Sequence, residues 1–112
     1  MPDDLITRIE SAGPDKQRVL LWEAFRRLDR EAPPARYSRF KALHDAEAYL
    51  DAALMLFPGS ATGWTLASDC GAAPMHQAII FRDGDGAIGT GDASTPALAL
   101  LAAILKAKGP RP

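Results

Sequence analysis

Cysteine is almost absent from this chain: Cys70 stands alone among 112 residues. No intramolecular disulfide can form, and nothing points to an oxidising compartment. Histidine is nearly as scarce, with only His44 and His76. A structural zinc site takes about four ligands and a catalytic one about three from the protein. Cys70, His44 and His76 do not show metal-site spacing. No metal and no cofactor is expected. The same scarcity leaves no signature of a nucleophile beside a histidine held by a carboxylate. No catalytic residue is assigned, and the chain reads as a non-enzyme. Long apolar runs are missing as well. The longest, Pro96 to Leu105, is about half of the roughly 20 residues that span a bilayer. The acidic opening Met1-Pro2-Asp3-Asp4 lacks the apolar stretch of a secretory leader, so the expected location is the cytoplasm, with no membrane partner. A surplus of charge of one sign is absent too. Lys and Arg number 13, Asp and Glu 14, for a net charge of -1. This speaks against a nucleic-acid binder that relies on overall basicity. Nucleic acid stays open only through a local basic face.

What is present suits one ordinary globular domain. Apolar residues make up 47%, enough for one core, and the length leaves no room for a second. The expectation is a single domain over residues 1–112, with 110–112 a disordered tail.

Residues 3–12 read as a short helix with Leu5, Ile6 and Ile9 on one face, ended by Gly13-Pro14. Residues 15–30 read as a second, amphipathic helix, with Leu21, Phe25 and Leu28 recurring and Trp22 beside them. Pro33-Pro34 places residues 31–37 in a loop. A third helix is expected over 42–57, stopped by Pro58-Gly59. Strands follow at 64–69 and 75–82, separated by a turn at 70–74. Ile79, Ile80 and Phe81 put apolar groups on both sheet faces. Asp83-Gly84-Asp85-Gly86 is a hairpin signal leading into a short strand at 87–91. The last helix is the best marked: Thr95 as N-cap, Pro96 in the first turn, Lys106 and Lys108 at its negative end, Gly109 as stop. No polar side chain interrupts Ala97 to Leu105, so this helix is buried on more than one side. The fold class is α+β: a three-layer α/β/α sandwich, its small antiparallel sheet carrying helices on both faces.

Two formal motif matches are set aside. Gly84-x-Gly86-x-x-Gly89 fits a dinucleotide fingerprint in letters, but that motif opens a helix inside a βαβ unit. Asp83-Gly84-Asp85-Gly86 resembles the start of a calcium loop, yet Ala87 stands where a third oxygen ligand belongs and no Glu follows it. Arg36-Tyr37-Ser38-Arg39-Phe40-Lys41 is the most informative surface segment. It interleaves three cations with two aromatics, a mix that suits an interface or a phosphate. In the plainer reading, Tyr37 and Phe40 enter the core and the cations stay solvated. Arg36, Tyr37, Arg39 and Lys41 are the candidate partner-binding residues.

The chain resembles the phage ABA sandwich domain family of small phage and prophage proteins. The resemblance rests on Asp51-Ala52-Ala53-Leu54-Met55-Leu56-Phe57-Pro58 followed by Gly63-Trp64, on Ser94 to Ala107, and more loosely on Leu5 to Pro14. Residues 30–45 lie outside it. The resemblance implies a layered α/β/α arrangement and no catalytic residues. On it rests the expectation of a phage- or prophage-encoded binding protein in the bacterial cytoplasm. Such a protein would act on a host or phage protein, as an inhibitor of host defence. Two other readings stand beside it. One is a small-nucleotide binder or enzyme using Arg36, Tyr37, Arg39, Trp64 or His76; the other is an accessory of the virion or its assembly. Self-association stays open.

Overall fold

The computed structural model describes residues 4–28, 31–59, 61–69 and 75–108. Helix α1 (Asp4–Ser11) leads through a 3-10 turn (Pro14–Lys16) into α2 (Gln17–Leu28). Helices α3 (Pro34–Asp45) and α4 (Tyr49–Leu54) follow. Strands β1 (Gly63–Asp69), β2 (Met75–Arg82) and β3 (Gly86–Ala93) come next, and α5 (Pro96–Lys108) closes the chain. The sheet is antiparallel in the order β1-β2-β3. This is an α+β sandwich, as the apolar pattern anticipates. The expected tail at 110–112, the turn at 70–74, Cys70 and the Gly109 stop lie outside the described residues. Among the described residues, no helix is long and apolar enough to cross a membrane.

Strand alternation assigns side chains to faces. Trp64, Ile80 and Gly89 stand side by side in register, as do Leu66, Ala78 and Gly91. Helix α5 lies on this face. Gly89 and Gly91 make the contact close: a Cβ on Gly91 would meet the Ala99 carbonyl oxygen and come within 2.6 Å of the Ala103 nitrogen. Small residues on both partners let the backbones approach. The far side of α5 is covered by α1, α2 and α4, so every residue from Ala97 to Leu105 is buried. The Thr95 hydroxyl caps this helix, accepting the Leu98 N–H at 3.2 Å.

The element covered on opposite sides is therefore α5. On the other face of the sheet, Thr65, Ala67 and Gln77 are exposed and Ile79 and Phe81 half-buried. A three-stranded sheet backed by one buried helix and a second helical layer already forms a continuous core.

The edge of β3 is covered. The Glu10 carboxylate in α1 accepts the Asp92 N–H at 3.3 Å and the Lys106 ammonium at 2.7 Å. The Ser94 hydroxyl donates to the Ala12 carbonyl at 2.8 Å. In the β2–β3 turn, Gly84 and Gly86 take φ of 88 and 73, which glycine adopts without steric cost. The Gly84-x-Gly86-x-x-Gly89 letters thus record a hairpin and a close helix contact.

Two expectations from the sequence need correction. The loop placed over 31–37 ends earlier, because α3 begins at Pro34. Proline suits a first helical position, where its missing N–H has no intrahelical acceptor to lose, and the Pro33 carbonyl accepts the Tyr37 N–H at 3.0 Å. The single helix expected over 42–57 is two. After Asp45 the chain turns with Glu47 at φ 61. The Ala48 N–H donates to the Leu43 carbonyl at 2.9 Å and the Glu47 N–H to the His44 carbonyl at 3.2 Å. That pair of bonds is a Schellman stop, usually built on glycine. A glutamate there leaves no trace of the stop in the sequence. Glu47→Gly should accordingly raise stability by up to about 1 kcal/mol, since a side chain at positive φ costs about that much. A melting temperature unchanged or lowered would show that Glu47 makes contacts that outweigh its strain.

Candidate interaction face on helices α2 and α3

The α2–α3 contact is a layer of rings. Phe25 and Phe40 stack with centroids 4.0 Å apart, and both are buried. Trp22 meets the edge of Tyr37 at 5.7 Å and lies 5.4 Å from the His44 ring. Offset and edge-on ring pairs of this kind hold two helices in a fixed relation. The outer members remain accessible: Tyr37 is 42% exposed and Val19, on the outer side of α2, is 60% exposed.

Histidine 44 is a structural member of this layer. It is buried, and its Nε2 lies 2.7 Å from the Arg18 carbonyl oxygen. A carbonyl only accepts, so Nε2 carries the proton. The Arg18 guanidinium returns the contact, donating to the His44 carbonyl at 3.2 Å and to Asp45 at 3.3 Å.

Asp45 also accepts from Lys41 at 2.8 Å. The hydrogen bond from Lys41, with the positive charges of Lys41 and Arg18, holds the Asp45 carboxyl below the usual carboxylate range. A lowered folded-state pKa contributes stability that is present above the unfolded value. That stability is lost as pH falls through the folded value. Titration by NMR should find Asp45 below the usual range, and Lys41→Gln should move it upward. A value that does not respond to Lys41→Gln would mean that this ion pair is not kept in solution. The pair is solvent-exposed, so the change in melting should be small.

Two hollows flank Val19 and Trp22. One, of about 350 Å³, is lined by Arg18, Val19, Trp22, Lys41, His44 and Asp45. The other, of about 460 Å³, is lined by Val19, Trp22, Glu23, Arg26 and Arg27. Glu23 is bound by Arg8 at 2.7 Å, which lowers its pKa through that hydrogen bond. The result is an apolar ridge between two cation-rimmed depressions.

The candidate partner-binding residues do not form one patch. They lie on α3, where residues three or four apart share a flank. Tyr37 and Lys41 face α2 and join Trp22 and Arg18. Arg36 and Arg39 lie on the α4 side. Arg36 donates to the Met55 carbonyl oxygen, while Arg39 lines a separate hollow with Leu43, Asp51, Leu54 and Met55. Phe40 enters the core, as the plainer reading of that segment holds, while Tyr37 stays partly outside. Nothing in the composition around Val19 sets it apart. It lies roughly opposite Leu21 around α2, an apolar side chain on the polar face.

The remaining candidates stand apart from this face. His76 on β2 pairs through Nδ1 with the Ser68 hydroxyl at 2.7 Å. Trp64 on β1 is 37% exposed. Among the described residues, no three His, Cys, Asp or Glu side chains gather in metal-binding fashion. No family model, curated protein or solved structure matches the chain.

Proposed function

We propose that this is a small non-enzymatic binding domain of phage or prophage origin that acts in the bacterial cytoplasm by protein–protein contact through the α2–α3 face. A host-defence component is the target class that the family resemblance suggests. The observation that carries the reading is Val19, 60% exposed, on a ridge with Trp22 and Tyr37. An accessible apolar and aromatic centre ringed by arginine and lysine has the composition of a binding hot spot with its rim. Arg18, Arg26, Arg27 and Lys41 outnumber Glu23 and Asp45 around it. The fitting partner therefore offers an apolar groove inside an acidic rim.

Val19→Asp tests this. An exposed position tolerates substitution within about 0.5 kcal/mol, so melting should hold. Affinity for the partner should fall at least about tenfold. Undiminished binding at unchanged melting would place the interface elsewhere.

A second reading has one observation in its favour. The hollow of about 350 Å³ sets Arg18 and Lys41 beside the Trp22 ring, cations next to a stacking surface. Under that reading, a nucleotide raises the melting temperature of the free chain, because a ligand bound only by the folded state stabilises it.

A further inference from the structure

The two edges of the sheet are treated differently. The β3 edge is covered by α1, with Glu10 on the Asp92 N–H. Strand β1 is the other edge, and among the described residues nothing pairs with its outer side. Folded proteins usually guard such an edge with a charge, a proline, a bulge or a short strand. Strand β1 has none of these before its last residue. It runs for seven residues, Gly63-Trp64-Thr65-Leu66-Ala67-Ser68-Asp69, and its pairing with β2 is unbroken. Thr65 and Ala67 are exposed and Trp64 is 37% exposed.

We infer that β1 is a self-pairing edge: two copies of this chain join β1 to β1 antiparallel about a twofold axis at Leu66, making one six-stranded sheet. This goes beyond the α2–α3 reading and does not depend on it. The register follows from the strand itself. Leu66 is the middle of the seven residues, so only pairing centred there uses the whole strand. That register sets Leu66 opposite Leu66, Trp64 opposite Ser68, Thr65 opposite Ala67 and Gly63 opposite Asp69. By sequence, this register sets no two like charges opposite one another. On the α5 side, the exposed Trp64 and half-buried Leu66 gain cross-strand neighbours from the second copy. A second copy suits this edge because a twofold axis satisfies the same backbone groups on both chains.

The register makes the test a charge swap. In Thr65→Glu/Ala67→Glu, each Glu faces another across the axis, and association should weaken by about tenfold or more. In Thr65→Glu/Ala67→Lys, each Glu faces a Lys, and association should return. Both positions are exposed, and circular dichroism melting checks that the monomer fold persists. Sedimentation equilibrium of the full chain should give twice the chain mass for the unmodified protein and for the Glu/Lys variant. The Glu/Glu variant should shift toward the monomer. A monomer at all concentrations for the unmodified chain overturns the inference, as does equal dimerisation of the Glu/Glu variant. Amide exchange probes the same pairing without variants. Protection of residues 63–69 should rise with concentration, and no rise overturns the proposal.

Discussion

Gly91→Val should abolish folding, and Gly91→Ala should lower the melting temperature by roughly 10–15 °C. The Cβ that alanine adds would meet the Ala99 carbonyl oxygen, lie 2.6 Å from the Ala103 nitrogen and 2.8 Å from the Ala102 Cβ. Two of those atoms are backbone of α5, which cannot rotate away as a side-chain tip can. The helix must lift off the sheet. Overpacking costs about 1–3 kcal/mol where a core can adjust, and the upper end applies when it cannot. Gly89 meets the same helix two residues earlier in β3, where a Cβ would come within 2.8 Å of the Ala107 nitrogen. Gly59→Ala is the control: nothing lies within 4 Å of its Cβ position, so stability should change by less than about 0.5 kcal/mol. If Gly91→Ala melts like Gly59→Ala, α5 does not lie against β3 as closely as described.

Leu101→Asp should leave no folded protein at room temperature. Leu101 is completely buried in α5 between the sheet and the outer helices. An aspartate there has no cationic partner, and an uncompensated buried charge costs about 3–5 kcal/mol. Removing the leucine adds a cavity cost of about 2–5 kcal/mol. The sum approaches or exceeds the roughly 5–15 kcal/mol that holds a domain of this size together. Val19→Asp introduces the same charge at a position 60% exposed and should melt as the unmodified chain does. Far-ultraviolet circular dichroism of the two variants separates them. A folded Leu101→Asp protein would mean that α5 is not the centre of the stack.

Much of the fold is legible in the sequence where one local rule decides the outcome. The apolar run from Ala97 to Leu105 announces a helix buried all round, and Thr95 with Pro96 announces where it starts. Met75–Arg82 is found to the residue because Ile79, Ile80 and Phe81 are flanked by a glycine-rich turn. The rest depends on information the chain does not print locally. The break between α3 and α4 rests on Glu47 at positive φ, which no glycine marks. Gly89 and Gly91 look like turn residues until α5 is seen lying on them. The layer order follows from which side of α5 the first helices choose, a tertiary outcome.

The candidate site is less legible. The segment Arg36 to Lys41 draws attention by composition, but the helix divides its cations between two flanks. Arg36 is drawn to the Met55 carbonyl on one side, while Lys41 and Tyr37 turn toward Trp22 on the other. His44, an obvious ligand candidate by residue type, is committed to the Arg18 carbonyl. Val19 is ordinary in composition and becomes notable only through its exposure beside an aromatic layer.

Site-specific photo-crosslinking tests the proposed function most directly. A photoreactive residue at position 19 should give one discrete adduct with another protein in bacterial cells under phage infection. The same residue at position 85, on the exposed hairpin turn, should give none. Equal adducts from both positions, or none from position 19, would contradict the proposal that the α2–α3 face binds a protein partner.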